Sequence, residues 1–487
     1  MPLPPKIGLK KDTYYVCKIG VPFYDAARLI GVAHLFLGTA SAEIEDKETY
    51  WEIKGVKTQR DEQQLLWVLE RLNPTKKELG LFFKNNAFLW EDLADYFANF
   101  VERRRGRREE LKAEYDVALQ IGTRGIDPLA KYEVLAPRST SETLKKFKVS
   151  FQEVAAATLG RAFAAKVISQ TKRQREEIYI LPIFRERFVL TGFLEYERSF
   201  SHASGGWVGA VWAALSILLD LTAKRLPVVD FAYTREVKGP TAQPIFSDSG
   251  YLGLERLCLY WRQAIKENRK TALDLLRNFC KFLRNTNAIN VNEQVQNLAR
   301  WVADFVASPN ARALTKMEQL KARILAASQA GFVLGGYATA KLLSRSEHIE
   351  EVRNMLQPDL PEVPWQVSEA LARALGFDEK GWMNQFTRLE NAPNFSQFIQ
   401  QVERVISRGF YREQQERGQQ PNIQQAMTEA RDLANILREV SSALQDEKAF
   451  RAWKAIFLLD VLSRAHTKTE ASLKQAEKDK TETREEG

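Results

Sequence analysis

The stretch 178–237 limits the possible folds of this chain more than any other part of the sequence. Two apolar and aromatic runs, residues 178–184 and 188–196, are separated by a short charged turn and predict a β-hairpin. Residues 207–221 are almost wholly apolar and predict a buried helix, and residues 228–233 predict a further strand. The stretch therefore predicts a small sheet covered by a helix.

The rest of the first half mixes strand and helix patterns, whereas the second half shows helical patterns only. Strands are predicted at 13–19 and 48–53, an apolar helix at 26–37, and a capped, small-residue helix at 150–169. Helical periodicity then dominates from residue 251 onward. The predicted fold class is α+β: a mixed α/β N-terminal half with a small β-sheet covered by helices, followed by an all-α helical-bundle C-terminal half.

Composition along the chain predicts its domain boundaries. A proline-rich insert at 357–365 divides the helical half, and the last residues are charged and rich in Lys, Glu and Thr, which is typical of a flexible tail. The predicted domains are a mixed α/β domain at 1–250, a helical lobe at 251–356, a second helical lobe at 366–465 and a charged flexible tail at 466–487.

Charge and cysteine content point to a basic cytoplasmic protein. The chain has 71 Lys and Arg against 62 Asp and Glu, a net charge of +9, and such an excess indicates a polyanionic partner where the charges cluster. Cys17, Cys258 and Cys280 are too far apart for a zinc motif and odd in number, so a disulfide framework is not expected. The N-terminus lacks the apolar core of a signal peptide, and no apolar run reaches the roughly 20 residues of a membrane span.

The residue patterns of common active sites are missing. His34, His202, His348 and His466 form no zinc-binding pattern, and His34 is predicted to be a hydrogen-bonded core residue. The glycines at 331–341 do not have the spacing of a nucleotide-binding loop. The prediction is a protein that is not an enzyme, with no catalytic residue, cofactor or metal. An enzyme with a divergent site in the loop 198–206, which contains Ser201 and His202, stays open as an alternative.

Basic residues recur at helical spacing in the second half. Residues four apart lie on one helix face, so each row could follow the phosphates of a nucleic-acid backbone. A solvated helix face is the alternative for every row, because nearby acidic residues can offset the charges. The predicted contact residues are Lys266 and Lys270 in a row with Arg262, then Arg277, Lys281 and Arg284, and finally Arg404, Arg408 and Arg412.

The first half adds a basic cluster and two loops to the predicted nucleic-acid contacts. The cluster consists of Arg103, Arg104, Arg105, Arg107 and Arg108, for which a solvated face and a nuclear-import signal are alternatives. If the loops 198–206 and 238–250 converge, Arg235 and Lys238 could contact phosphates or guanine, and Ser201 and Ser204 could contact base edges or phosphates. The glycines before the helix at 207–221 also suit a phosphate.

In outline, the chain resembles the large subunit of type I CRISPR interference (Cascade) complexes. The resemblance is carried by Tyr14-Tyr15-Val16-Cys17-Lys18-Ile19-Gly20, which leads into the helix at 26–37, and by Phe193-Leu194-Glu195-Tyr196-Glu197-Arg198. No motif matches residue by residue, so the resemblance assigns no functional residue.

The resemblance implies a non-catalytic large subunit of an RNA-guided surveillance complex that takes part in antiviral defence. Domain 1–250 would inspect the protospacer-adjacent motif, and the helical lobes would hold displaced DNA and recruit a helicase-nuclease. The implied partners are guide RNA, target DNA, the other subunits of the ribonucleoprotein complex and the helicase-nuclease, without a membrane. A stand-alone nucleic-acid-binding accessory factor for replication or transposition is the alternative.

Overall fold

The computed structural model shows an α+β fold, as predicted. The residues it describes are 7–10, 13–18, 20, 22–37, 42–54, 117–119, 147–149, 157, 159–170, 175–191, 193–202, 205–238, 244–287, 291–329, 342–376, 381–418 and 420–464. The chain divides into two compact units, Met1–Cys258 and Leu259–Gly487. Residues 259–356 and 366–465, from the two predicted helical lobes, both lie in the second unit.

The strands all precede residue 252 in the part of the chain that the structure describes. They are β1 (Ile7–Lys10), β2 (Thr13–Cys17), β3 (Ala42–Asp46), β4 (Tyr50–Lys54), β5 (Val117–Leu119), β6 (Phe147–Val149), β7 (Ala165–Gln170), β8 (Arg175–Phe184), β9 (Arg187–Leu190), β10 (Ser199–Ser201), β11 (Val228–Lys238) and β12 (Pro244–Tyr251). Sheet 1 has the order β1-β2-β4-β3-β9, sheet 2 has the order β10-β7-β8-β11-β12, and β5 pairs with β6.

Helices flank the sheets of the first unit and make up the described part of the second. They are α1 (Pro22–Leu37), α2 (Gly206–Ala223), α3 (Glu255–Lys266), α4 (Lys270–Asn285), α5 (Glu293–Ala307), α6 (Ala311–Gln329), α7 (Ser346–Leu356), α8 (Trp365–Leu375), α9 (Trp382–Glu390), α10 (Phe395–Glu416), α11 (Ile423–Glu439) and α12 (Glu447–Arg464).

The predicted hairpin at 178–196 is wrong. Its first run forms part of β8, whereas the second run, 188–196, is a strand only as far as Leu190. β8 pairs with β7 and β11 in sheet 2, whereas β9 pairs with β3 in sheet 1. Between them Glu186 has a left-handed φ of 71°, so the chain leaves one sheet and enters the other at this turn. Alternation along a strand predicts which face is buried but carries no information about the partner strand.

Two further segments differ from their predicted structure. The predicted helix at 150–169 is replaced at its end by β7, whose residues pair antiparallel with β8. The predicted loop 238–250 contains most of β12, which pairs with the long β11. In both cases the pairing with a neighbouring strand determines the conformation, and the local sequence pattern carries no information about that neighbour.

The apolar segment at 207–221 forms α2, as predicted. A Cβ at Gly209 would lie 2.6 Å from Cγ1 of Val167, so this glycine allows α2 to pack closely on β7. By length and composition α2 alone, among the described helices, could cross a membrane, but 67% of it is buried inside the unit. That burial is typical of the core helix of a soluble protein.

His34 is a hydrogen-bonded core residue of α1, as predicted. Its Nδ1 lies 2.8 Å from the carbonyl oxygen of Ile30, and its Nε2 accepts a hydrogen bond of 3.3 Å from the backbone N–H of Leu194. Burial lowers the pKa of His34 to about 4, against a smaller opposing effect of the Ile30 hydrogen bond. The neutral ring therefore ties α1 to the segment that follows β9.

α12 is the central helix of the second unit. Its residues from Trp453 onward are almost all buried, and it packs against α6, α7 and α8. On α6, Lys321 is fully buried and its Nζ donates a hydrogen bond to the carbonyl of Leu342. Burial lowers the pKa of Lys321 to about 7, because the low-dielectric interior disfavours the charged amine.

Candidate nucleic-acid interface

The densest positive charge in the described helices lies in α3 and α4. Residues 259–285 contain seven Lys and Arg against two acidic residues, a net charge of +5. α4 forms because its apolar residues recur at helical spacing and are buried, as Leu276, Phe279 and Leu283 show. The opposite face of α4 is thereby left to charged side chains.

Three predicted contact residues share this outer face of α4. Arg277, Lys281 and Arg284 are all exposed. Arg277 is 3.5 Å from Asp274, which is also 3.5 Å from Arg345. Lys281 and Arg284 make no ion pair with a described residue. Positive charge near a helix C-terminus is also favourable to the helix itself, so helix stability explains part of this arrangement.

The predicted row from Arg262 to Lys270 is not one helix face. α3 ends at Lys266 and α4 begins at Lys270, and between them Asn268 has a left-handed φ of 56°. The regular spacing thus continues across a break in the helix. Lys266 and Lys270 are both exposed and make no ion pair with a described residue, so they add to the positive charge at the α3–α4 junction.

The predicted row on α10 is also divided. Arg404 and Arg408 are exposed, without an ion pair to a described residue. Arg412 instead donates a hydrogen bond of 3.3 Å to the carbonyl of Ala374 and lies 3.8 Å from Glu416. It binds the C-terminal end of α8, where free carbonyls attract a cation.

The charges around α10 balance each other. The helix carries three Arg and three Glu, a net charge of zero. Glu403 pairs with two arginines of α11, at 3.9 Å from Arg431 and 3.7 Å from Arg438. Sequence reasoning missed these two arginines, although their separation of seven residues places them on one helix face. α10 is therefore a weaker candidate for a phosphate contact than α3 and α4.

The two loops, whose convergence the sequence left open, lie at the same end of sheet 2 but next to its opposite edges. β10 and β11 both end there, and β10 and β12 are the edge strands. Ser201 is exposed at the end of β10. Arg235 lies within β11 and pairs with Glu176 of β8. Ser204 and the arginines at 103–108 lie outside the described residues.

A carboxylate already lies at the N-terminus of α2, where a phosphate was expected. A Cβ at Gly206 would be 2.1 Å from a carboxylate oxygen of Glu176. The partial positive charge of a helix N-terminus attracts an anion, and here the protein supplies that anion itself. A side chain at position 206 would have to displace this carboxylate.

Sheet 2 also contains a group of charged side chains that sequence reasoning missed, apart from Lys238. The Glu177 cluster consists of Lys166, Arg175, Glu177, Glu236 and Lys238. Glu177 is fully buried and lies 2.7 Å from Arg175, 3.1 Å from Lys238 and 3.9 Å from Lys166. Lys238 is also 3.2 Å from Glu236.

Strand register explains why these side chains meet. β7, β8 and β11 are neighbours, with Glu177 opposite Glu236, and Arg175 opposite Lys238. Residues two apart on a strand share a face, and Arg175, Glu177 and Tyr179 alternate in this way. That alternation of polar residues, next to a buried strand, was the signal available in the sequence.

The basic neighbours keep Glu177 ionised. Burial alone would raise the pKa of Glu177, but Lys238, Lys166 and Arg175 together outweigh it, and the pKa is lowered. Arg161 adds another cation to this face, since its guanidinium lies 4.4 Å from the ring centre of Tyr179.

The alternative site in the loop 198–206 has its two candidate side chains in different places. Among the described residues, no group of three or more His, Cys, Asp and Glu side chains could hold a metal ion. In the loop 198–206, Ser201 is exposed whereas His202 is buried against Trp212. The two adjacent side chains therefore lie in different environments, which does not favour a nucleophile and its base.

Comparison with known proteins adds no information about this interface. No protein-family model and no curated protein matches the chain.

Proposed function

We propose that this protein is a non-catalytic nucleic-acid-binding protein that contacts the phosphate backbone through α3 and α4. The observation that carries the proposal is the net charge of +5 within residues 259–285. Lys266, Lys270, Lys281 and Arg284 are exposed there and have no acidic partner among the described residues. Exposed cations of this kind bind phosphates by releasing condensed counterions.

The resemblance to the large subunit of type I CRISPR interference complexes supplies the finer form of the proposal. The protein would act in the cytoplasm as part of an RNA-guided complex, with guide RNA, target DNA and a helicase-nuclease as partners. Base pairing with the guide would read the target sequence, so a sequence-independent phosphate contact is sufficient for α3 and α4.

Affinity purification with and without nuclease tests both levels of the proposal. A short RNA of uniform length, present in constant ratio with other subunits, would support the RNA-guided complex. Heterogeneous nucleic acid without such subunits would support a stand-alone binding factor. Purification of the protein free of any nucleic acid, together with no binding of added DNA or RNA at low salt, would contradict the proposal.

A further inference from the structure

The Glu177 cluster has more positive than negative charge. With Arg161, four cations face two carboxylates, Glu177 and Glu236, which leaves a net charge of +2 among these six side chains. Two cations would be enough to neutralise Glu177 and Glu236. The excess charge favours a further anion beside Arg175 and Lys238.

The cluster also has hydrogen-bond donors to spare. The Nη2 of Arg175 lies 2.7 Å from the Oε1 of Glu177. The buried Nε of Arg175 has no hydrogen-bond partner among the described residues, and neither has that carboxylate oxygen. A lysine ammonium has three donors, and the two carboxylates near Lys238 account for two of them. An arginine edge next to a lysine is the donor set that binds a phosphate group.

Glu177 holds these donors in place before a ligand arrives. The Lys166 and Lys238 side chains are only 18% and 14% exposed, whereas Arg175 is 40% exposed. Contacts with a fixed carboxylate reduce the freedom that long basic side chains would otherwise lose on binding. Arg175 provides the open side of the site, and the two lysines provide its rigid inner side.

We propose that the Glu177 cluster is a binding site for a phosphate group, contacted by Arg175 and Lys238 and positioned by Glu177. The phosphate belongs either to a nucleic-acid strand or to a small phosphorylated ligand. The site lies in the first unit and does not depend on the interface at α3 and α4.

Isothermal titration of the full chain tests this site with two probes. Inorganic pyrophosphate represents a small ligand, and a single-stranded DNA of about 12 nucleotides without terminal phosphates represents a strand. Binding of pyrophosphate but not of the DNA would show that the site takes a small phosphorylated ligand. Binding of the DNA that is weaker in the K166Q/R175Q variant would show that the site takes a nucleic-acid strand.

Two variants separate ligand binding from a purely structural ion-pair network. K166Q/R175Q removes two cations, lowers the excess charge to zero and keeps the Lys238–Glu177 pair. E236Q also removes an ion pair of the cluster, but it keeps all four cations and raises the excess charge to +3. We expect K166Q/R175Q to bind the ligand about tenfold more weakly or worse, and E236Q to bind it at least as tightly as the wild type. The K281E/R284E variant, changed only in α4, should bind pyrophosphate as the wild type does.

A labelling experiment on the wild type covers the case in which a variant does not fold. Phenylglyoxal modifies exposed arginines, and a bound phosphate should slow its reaction with Arg175 at least severalfold, as measured by mass spectrometry. Arg185, which is exposed and pairs with Glu255, is the internal control. Equal modification of Arg175 with and without either probe, or unchanged affinity in a folded K166Q/R175Q, would overturn the proposal.

Discussion

Replacing Lys321 with methionine should stabilise the second unit in a pH-dependent way. Lys321 is fully buried on α6, and burial lowers its pKa from 10.5 to about 7. Between these two values the unfolded chain binds more protons than the folded chain. The free energy of unfolding therefore rises with pH from about 7 to about 10.5. Methionine has a similar shape and no proton to lose.

The size of the effect follows from the two pKa values. At about 1.4 kcal/mol per pH unit, keeping Lys321 neutral costs the folded state about 4 kcal/mol at pH 7 and about 1 kcal/mol at pH 10. The hydrogen bond to Leu342, which methionine lacks, offsets about 1 kcal/mol. The Lys321→Met variant should thus be more stable by about 3 kcal/mol at pH 7 and close to the wild type at pH 10.

Urea unfolding followed by far-ultraviolet circular dichroism at pH 7 and pH 10 measures this difference. Lys316→Met is the matched control, because Lys316 lies on the same helix but is exposed, and its effect should stay within about 0.5 kcal/mol at both pH values. A stability difference for Lys321→Met that is the same at pH 7 and pH 10 would refute the reasoning.

Three smaller predictions concern single side chains. Gly160→Ala should destabilise the first unit by about 3 kcal/mol in urea unfolding, because a Cβ there would lie 1.7 Å from a backbone oxygen of α1; a neutral result would contradict that packing. Arg412→Ala should cost about 1 kcal/mol by losing its bond to α8, whereas Arg408→Ala should cost less than about 0.5 kcal/mol. The pKa of His34 is lowered from 6.5 to about 4, so the unfolded chain binds more protons in this range and stability falls by about 3 kcal/mol as pH drops. His34→Gln should remove that fall, and an unchanged pH profile would argue against a buried neutral ring.

The sequence predicted elements better than it predicted their partners. The run at 207–221 was identified as a buried helix because its apolar content leaves no solvent-facing side. Strands were also predicted at 178–184 and 188–196, but the second ends at Leu190 and their assignment to one hairpin was wrong. Strand partners depend on residues far away in the chain, such as β3 and β11, and local alternation does not specify them.

The candidate site was predicted in part for a similar reason. The outer face of α4 follows from helical spacing alone, so Arg277, Lys281 and Arg284 could be grouped from the sequence. Arg412 could not be separated from Arg408 in this way, because the carbonyl of Ala374 that binds it belongs to another helix. The Glu177 cluster needs the register of three strands, which only the folded chain provides.

The salt dependence of nucleic-acid binding by K281E/R284E tests the central claim most directly. R404E/R408E makes the same charge change on α10, a helix of zero net charge, and is the matched comparison. With duplex DNA, losing two phosphate contacts should reduce the slope of log K against log salt concentration by about 2 in K281E/R284E, with a smaller change in R404E/R408E. A slope in K281E/R284E equal to that of the wild type would contradict the claim that α3 and α4 bind the phosphate backbone.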